Sequence, residues 1–274
     1  MTLQPRVAVF LGPPGRRIFV VQRRPAQSSG PCVLVVPPFA EEMNKCRRMI
    51  AEAANALAAL GVAALVPDLF GTGDSEGEFR DADWETWKAD LDTAVAWASE
   101  EGWPVKGVLA IRLGGVLAAE WLRERHHQLE RAVLWQPVES GNAFLTQFLR
   151  LRVAASMMES RRETVGELRK KLSEGETLEV AGYELSGRLA TQLDAAQLLD
   201  HLGALAKEIT CFDVGPDSAP AQSPRVKRLS ERAAACGTRW TAEQLSGEPY
   251  WTSTEIVALP KLVEKSAAVF GASL

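Results

Sequence analysis

The stretch Ala110-Ile111-Arg112-Leu113-Gly114-Gly115 is where chemistry would be sought first. An apolar run leads into it, a small residue stands two before its centre, a glycine two after, and a helical pattern follows. That is the frame of G-x-S-x-G, a strained strand-to-helix turn that presents a nucleophilic hydroxyl. Here the centre is Arg112. A guanidinium stays protonated at working pH and cannot attack a carbonyl. Serine-type catalysis also needs a base that cycles near neutrality, which is why histidine serves. The chain has three histidines, 126, 127 and 201, and none follows His201. The loop after the last strand, where such a base is expected, reads Ser246-Gly247-Glu248-Pro249-Tyr250-Trp251, with Glu248 at the base's place. The third member is expected after the seventh strand, where Val214-Gly215-Pro216-Asp217 offers Asp217 one spacer residue short. The three triad positions thus read Arg112, Asp217 and Glu248, a set without a nucleophile or a histidine.

The elements that must position these residues follow from periodicity. Two short strands, 7–12 and 17–23, flank the turn GPPGR. CVLVVPP (32–38) is a Val-rich apolar run, the pattern of a strand buried on both faces. A helix over 43–60 carries Ile50, Ala53, Ala54, Leu57 and Leu60 as its apolar stripe, with Glu41 and Glu42 at its start, where the helix dipole favours acids. Strand 62–68 leads to the glycine-rich loop 69–79. A helix over 82–100, strand 105–111, the turn at Arg112, a helix over 113–125 and strand 132–138 continue the alternation. Residues 139–206 break it: they are charge-rich and mostly helical, with a short β-like piece at 178–185. The pattern resumes with strand 208–215, a helix near 222–235, strand 238–245 and a helix from about 253 to 270. Alternating strands and helices imply a mostly parallel sheet flanked by helices. The expected fold is α/β: an α/β-hydrolase fold with eight strands in the sheet. Residues 1–138 and 207–274 form its core, and 139–206 a helical cap inserted after the sixth strand.

Composition narrows the function classes. The 274 residues are 46% hydrophobic and 24% charged, which excludes disorder as the main state. A net charge of −4 gives no overall basic field for nucleic acid. Four scattered cysteines (32, 46, 211, 236), with no CxxC pair, form neither a disulfide framework nor a structural zinc site. No metal and no cofactor are implied. The first 25 residues are broken by Pro, Gly and Arg, so they read neither as a signal peptide nor as a span, and no apolar run reaches about 18 residues. The expected location is the cytoplasm, with reduced thiols.

Longer motifs carry a resemblance. PPFAEEMNKCRRM (37–49), DLFGTGDSEGEFRDADWETW (68–87), IRLG (111–114) and LWQPVESGNAFLTQFLRLR (134–152) are similar to the exosortase A system-associated hydrolases of the second type. FLGPPGRRIFV (10–20) and PYW (249–251) fit as well, so the resemblance covers nearly the whole chain. It implies an α/β-hydrolase fold, an elbow that carries Arg instead of Ser as a family trait, and a role beside exopolysaccharide synthesis and envelope sorting. Hydrolysis is implied by the family's name alone, and fold analogy is a weak warrant for chemistry. Cys46 departs from the pattern, which has Ser there.

The resemblance and the fold together place Phe39, Ala40, Glu41, Glu42, Asn44 and Leu113 around Arg112 as pocket residues. A buried arginine needs a carboxylate, so Arg112 is expected to pair with Glu41, Glu42 or Glu248. Three readings stay open. The charges form a salt-bridge knot in a catalytically silent site; or Arg112 at a helix N-terminus receives a carboxylate or phosphate; or a glutamate acts as base for attack by water. A catalytic form would act on an ester or thioester of an acyl or glycan intermediate. A binding form would hold a small acyl or glycan ligand. The glycines of 71–73 read as a tight turn, since no GK[ST] follows. Trp84, Trp87 and Trp97 read as packing, Gln136, Gln147, Arg150 and Arg152 as anchors of the cap, and the histidines as structural. The oligomeric state stays open.

Overall fold

A computed structural model describes residues 6–158, 163–216, 223–253 and 255–271. Its sheet is built from β1 (Arg6–Leu11), β2 (Ile18–Arg23), β3 (Cys32–Val36), β4 (Ala63–Pro67), β5 (Val105–Ile111), β6 (Leu129–Trp135), β9 (Ala206–Gly215) and β10 (Arg239–Ser246). The spatial order is β1-β2-β4-β3-β5-β6-β9-β10. Only the pairings of β1 with β2 and of β2 with β4 are antiparallel. The rest run parallel. The expected eight-stranded, mostly parallel sheet is therefore the observed one.

Every residue of β3 is buried, as its unbroken apolar run requires. Its side chains alternate between two cores. Val33 and Val35 pack with α1 (Glu41–Ala59) and α9 (Pro260–Gly271). Leu34 and Val36 pack on the other face with α2 (Trp84–Glu100) and α3 (Gly114–Glu124). Asp83 caps α2, its side chain accepting from Thr86 N at 2.7 Å.

Between β6 and β9 lie α4 (Gly141–Met158), α5 (Val165–Ser173), the hairpin of β7 (Thr177–Val180) and β8 (Tyr183–Ser186), α6 (Gly187–Ala195) and α7 (Leu198–Leu205). The hairpin's two-residue turn, Ala181-Gly182, has positive φ at both positions, 51° and 84°. That is the twist a tight hairpin needs. Helix α7 packs along α3 on the flank of the sheet. Apolar residues of α4, α5, α6 and α7 join the same buried cluster as α2 and α3. After β9, helix α8 (Pro224–Ala235) is capped by Ser223, which accepts from Val226 N.

Two of the boundaries that differ from the periodicity have a plain cause in proline. The sixth strand stops at Trp135 rather than 138, because Gln136 turns into positive φ (46°) and Pro137 has no N–H for the ladder. The last helix starts at Pro260 rather than near 253, with Pro at its first position.

Candidate functional site

The elbow forms where β5 meets α3. Arg112 holds φ 53°, a left-handed conformation rare for a side-chain-bearing residue. Its N–H donates to Trp135 O at 2.9 Å, which ties the turn to the next strand. The turn runs against the end of β3. A Cβ on Gly114 would lie 2.6 Å from both Val36 O and Pro37 O, so only glycine fits there. Gly115 has no such constraint, its nearest contact being 3.6 Å.

The guanidinium turns inward. Arg112 Nε and Nη2 donate to Glu42 Oε1 at 3.1 and 3.0 Å, and Nη1 donates to Gln136 O at 3.3 Å. The Trp251 ring lies 5.1 Å from the guanidinium carbon, a cation–π contact. Arg112 is 6% exposed and Glu42 4%. Burial raises the Glu42 carboxyl above the usual carboxylate range, against the opposing pull of Arg112. Nε also donates to Oε2 at 3.3 Å, so the planar fork holds both carboxylate oxygens.

Gln136 fastens this arrangement. Its N–H donates to Phe212 O at 2.9 Å, and its side-chain Oε1 accepts from Val214 N at 2.7 Å. The carbonyl that receives Arg112 is thereby fixed between β6 and β9.

Glu41 stands beside the pair without joining it. Burial pushes its carboxyl up to about 7. Its own backbone N–H, Lys45 and Arg112 pull the other way, and Glu42 adds to the rise. Its Oε2 is buried with no hydrogen-bond partner among the described residues. A carboxyl that titrates near neutrality is the type used for general acid–base chemistry. Ala40 precedes it with φ 50° and ψ −124° at the start of α1, with no side-chain cap.

The space over the elbow is largely filled. Phe39 meets Phe79, Trp87, Phe144 and Phe148 edge-on, at centroid distances of 5.5, 5.8, 5.5 and 5.2 Å. The cavity between Phe39, Ala40, Met43, Leu113 and Gly114 has about 20 Å³, enough for about one water. Asn44 points outward and donates to Tyr183 Oη at 2.8 Å, linking α1 to β8. Phe79 packs edge-on against Tyr183, and Arg80 pairs with Glu184, so the hairpin is held at three points.

Of the expected residues, Glu42 holds Arg112, with Glu41 alongside, while Phe39, Ala40 and Leu113 line the adjoining cavity. Glu248 does not join them. It is exposed and makes no ion pair among the described residues. From this loop it is Trp251, three residues further on, whose ring faces Arg112. Asp217 lies outside the described residues. Four residues earlier in the sequence, the buried Asp213 accepts from Ser223 Oγ at 2.8 Å and pairs with Arg225. Arg152 binds Glu163 and the carbonyl of Glu179. Trp84 and Trp87 are buried and Trp97 packs partly buried against the core. The loop 69–79 closes on itself, with Asp68 Oδ2 accepting from Asp74 N and Ser75 Oγ donating to Asp68 O. Sequence reasoning missed the roles of Trp251, Gln136 and Tyr183. The PYW motif marked Trp251 without its role, and Gln136 was read as an anchor of the cap, whereas it ties β6 to β9 and receives Arg112.

The family described as serine aminopeptidase, S33, matches residues 30–184, a stretch that includes the elbow. No curated protein matches the sequence. Among solved structures, Est1E from Butyrivibrio proteoclasticus with ferulic acid bound is similar at TM-score 0.69 and 15% identity, over 96% of this chain and 97% of that one. A thermostable carboxyl esterase from Bacillus coagulans in complex with glycerol is similar at TM-score 0.63 and 12% identity, over 97% and 98%. XC6422 from Xanthomonas campestris, a serine hydrolase without lid, is similar at TM-score 0.57 and 11% identity, over 100% of each chain. At these identities the likeness is one of fold.

Proposed function

From the premise that the chain belongs to the serine aminopeptidase S33 family of α/β hydrolases, we propose that it has given up the family's nucleophilic chemistry and acts as a binding protein. Its setting would be exosortase-linked envelope and exopolysaccharide biogenesis, in the cytoplasm, with a small acyl or glycan molecule as ligand and residues 139–206 as cap. The observation that carries this reading is the buried, bidentate Arg112–Glu42 pair at the nucleophile's position. The charge of Arg112 is already matched, so the pair serves as a lock between α1 and the elbow rather than as an open anion site. The aromatic filling of the cavity supports the loss of nucleophilic chemistry, since about one water fits over the elbow, so the ligand would be held away from Arg112, against the cap. Among the described residues no helix is long and apolar enough to cross a membrane.

A fluorophosphonate probe together with a panel of p-nitrophenyl esters and acyl thioesters tests this. Neither labelling nor turnover is expected. Labelling of any serine, or turnover above buffer, overturns the reading.

One observation favours a second reading. Glu41, with its raised carboxyl and unpartnered oxygen, is placed to take a proton from water. In that case turnover of an ester or thioester would rise through pH 7 and vanish in Glu41→Gln, while the fluorophosphonate stays silent.

A further inference from the structure

A second concavity opens on the other side of Met43 and Pro37, between α1 and the β1-β2-β4 corner of the sheet. It has about 170 Å³. Its floor is apolar. Val21 and Val66 are cross-strand partners, and Met43 and Ile50 close it from α1. Its rim is cationic. Arg6 and Arg23 stand directly opposite each other in the antiparallel ladder, so their side chains leave the same face. Like charges in that position repel and would ordinarily be avoided. Neither has an acidic partner among the described residues, unlike most arginines of the chain. A third guanidinium, Arg47 of α1, lies 3.4 Å from Asp68. Three guanidiniums against one carboxylate leave the rim with two positive charges, beside a floor that favours hydrocarbon.

From this juxtaposition we infer that the groove binds a free, single-chain aliphatic phosphate monoester. The phosphate would sit between Arg6 and Arg23 and the chain along Val21, Val66 and Ile50. A monoester carries about −1.5 to −2 charges at pH 7, which matches the rim. Its oxygens suit paired guanidiniums, each of which can donate two parallel hydrogen bonds. Apolar contact supplies the rest, at about a fourfold gain in affinity per buried methylene. The inference holds whether or not the elbow is catalytic, because the groove and the elbow cavity are separated by Met43 and Pro37.

Calorimetric titration of the full chain with n-octyl phosphate, 1-octanol and inorganic phosphate tests it. Octyl phosphate is expected to bind at least tenfold more tightly than either half. R23E, and independently R6E on the exposed strand, should weaken binding at least tenfold. A51W, at the exposed rim of the groove, should weaken it as much without touching a charge. K106E, an exposed charge reversal elsewhere, should bind as the parent does. Unchanged thermal midpoints identify the variants that remain folded, and A51W and R6E serve where R23E does not. Absence of octyl phosphate binding overturns the inference. So do R6E and A51W that both bind like the parent, or inorganic phosphate that binds as tightly as the octyl ester. Co-sedimentation with phosphatidic acid vesicles without binding of octyl phosphate would mark a membrane surface instead, and would equally overturn it.

Discussion

Arg112 and Glu42, 70 residues apart in sequence, meet bidentately in the core, with Nη2 3.0 Å from Oε1 and Nε 3.3 Å from Oε2. The first lies on the elbow after β5 and the second in the first turn of α1. The pair thus joins the two elements that in a serine hydrolase frame the reacting carbonyl.

Breaking one side of this pair leaves a buried charge without compensation. Glu42→Ala is expected to lower stability by about 3–5 kcal/mol, whereas replacing both partners with apolar residues, as in R112M/E42L, should restore most of it. Urea unfolding of R112M, E42L and R112M/E42L, beside E42A, measures the coupling. A loss below about 1 kcal/mol in E42A would remove the lock from the account.

Glu41 gives the fold a pH dependence of known sign. Its carboxyl lies at about 7 in the folded chain against 4.5 when free, chiefly through burial. Between those values the folded state holds a proton that the unfolded state has lost, so this contribution to stability falls as pH rises through the window. It is fully present below pH 4.5. Glu41→Gln should flatten that part of the stability profile and leave the arms outside it parallel to the parent. An unchanged slope between pH 4.5 and 7 would assign the dependence to another group, with Asp90 next in line because burial lifts it to about 6.

Much of this architecture was legible in the residues. The Val-rich run of β3, the periodicity of α1 and α3 and the glycine-framed elbow each follow from local rules, and so does the need of Arg112 for a carboxylate. The choice of Glu42 over Glu41 was not legible. Adjacent residues on a helix differ by about 100° in direction, and only the packing of α1 on the sheet decides which faces the elbow. Glu248 was misplaced for a related reason. The loop after β10 is irregular, and its register relative to the elbow depends on Trp251 finding the guanidinium face. Gln136 was read as an anchor of the cap and not as the partner of Arg112, because a positive φ at a glutamine has no sequence signature.

The close approach of the elbow to β3 predicts opposite outcomes at two neighbouring glycines. Gly114→Ala forces a methyl to within 2.6 Å of two backbone carbonyl oxygens, which cannot swing aside as a side chain can. A loss of about 1–3 kcal/mol is expected, as for other overpacked cores. Gly115→Ala meets nothing closer than 3.6 Å and lies inside α3, where alanine is the better helix former. It should be neutral or stabilising by up to about 1 kcal/mol. Thermal unfolding of both variants decides the matter, and equal effects would contradict the approach described for Val36 and Pro37.

The four thiols provide a last check on the layout around the site. Cys46 lies buried in α1, a turn beyond Glu42, and burial pushes its thiol well up, with Glu42 adding to the rise. Cys32 and Cys211 are buried in strands and pushed up to about 12. Cys236 alone is exposed, just after α8. Thiolate, not thiol, reacts, so a maleimide at pH 7 should label Cys236 rapidly and the other three only on unfolding. The native protein is therefore expected to take up one equivalent and the denatured protein four. Fast native labelling of Cys46 would mean that α1 parts from the elbow in solution, and that the Arg112–Glu42 contact opens with it.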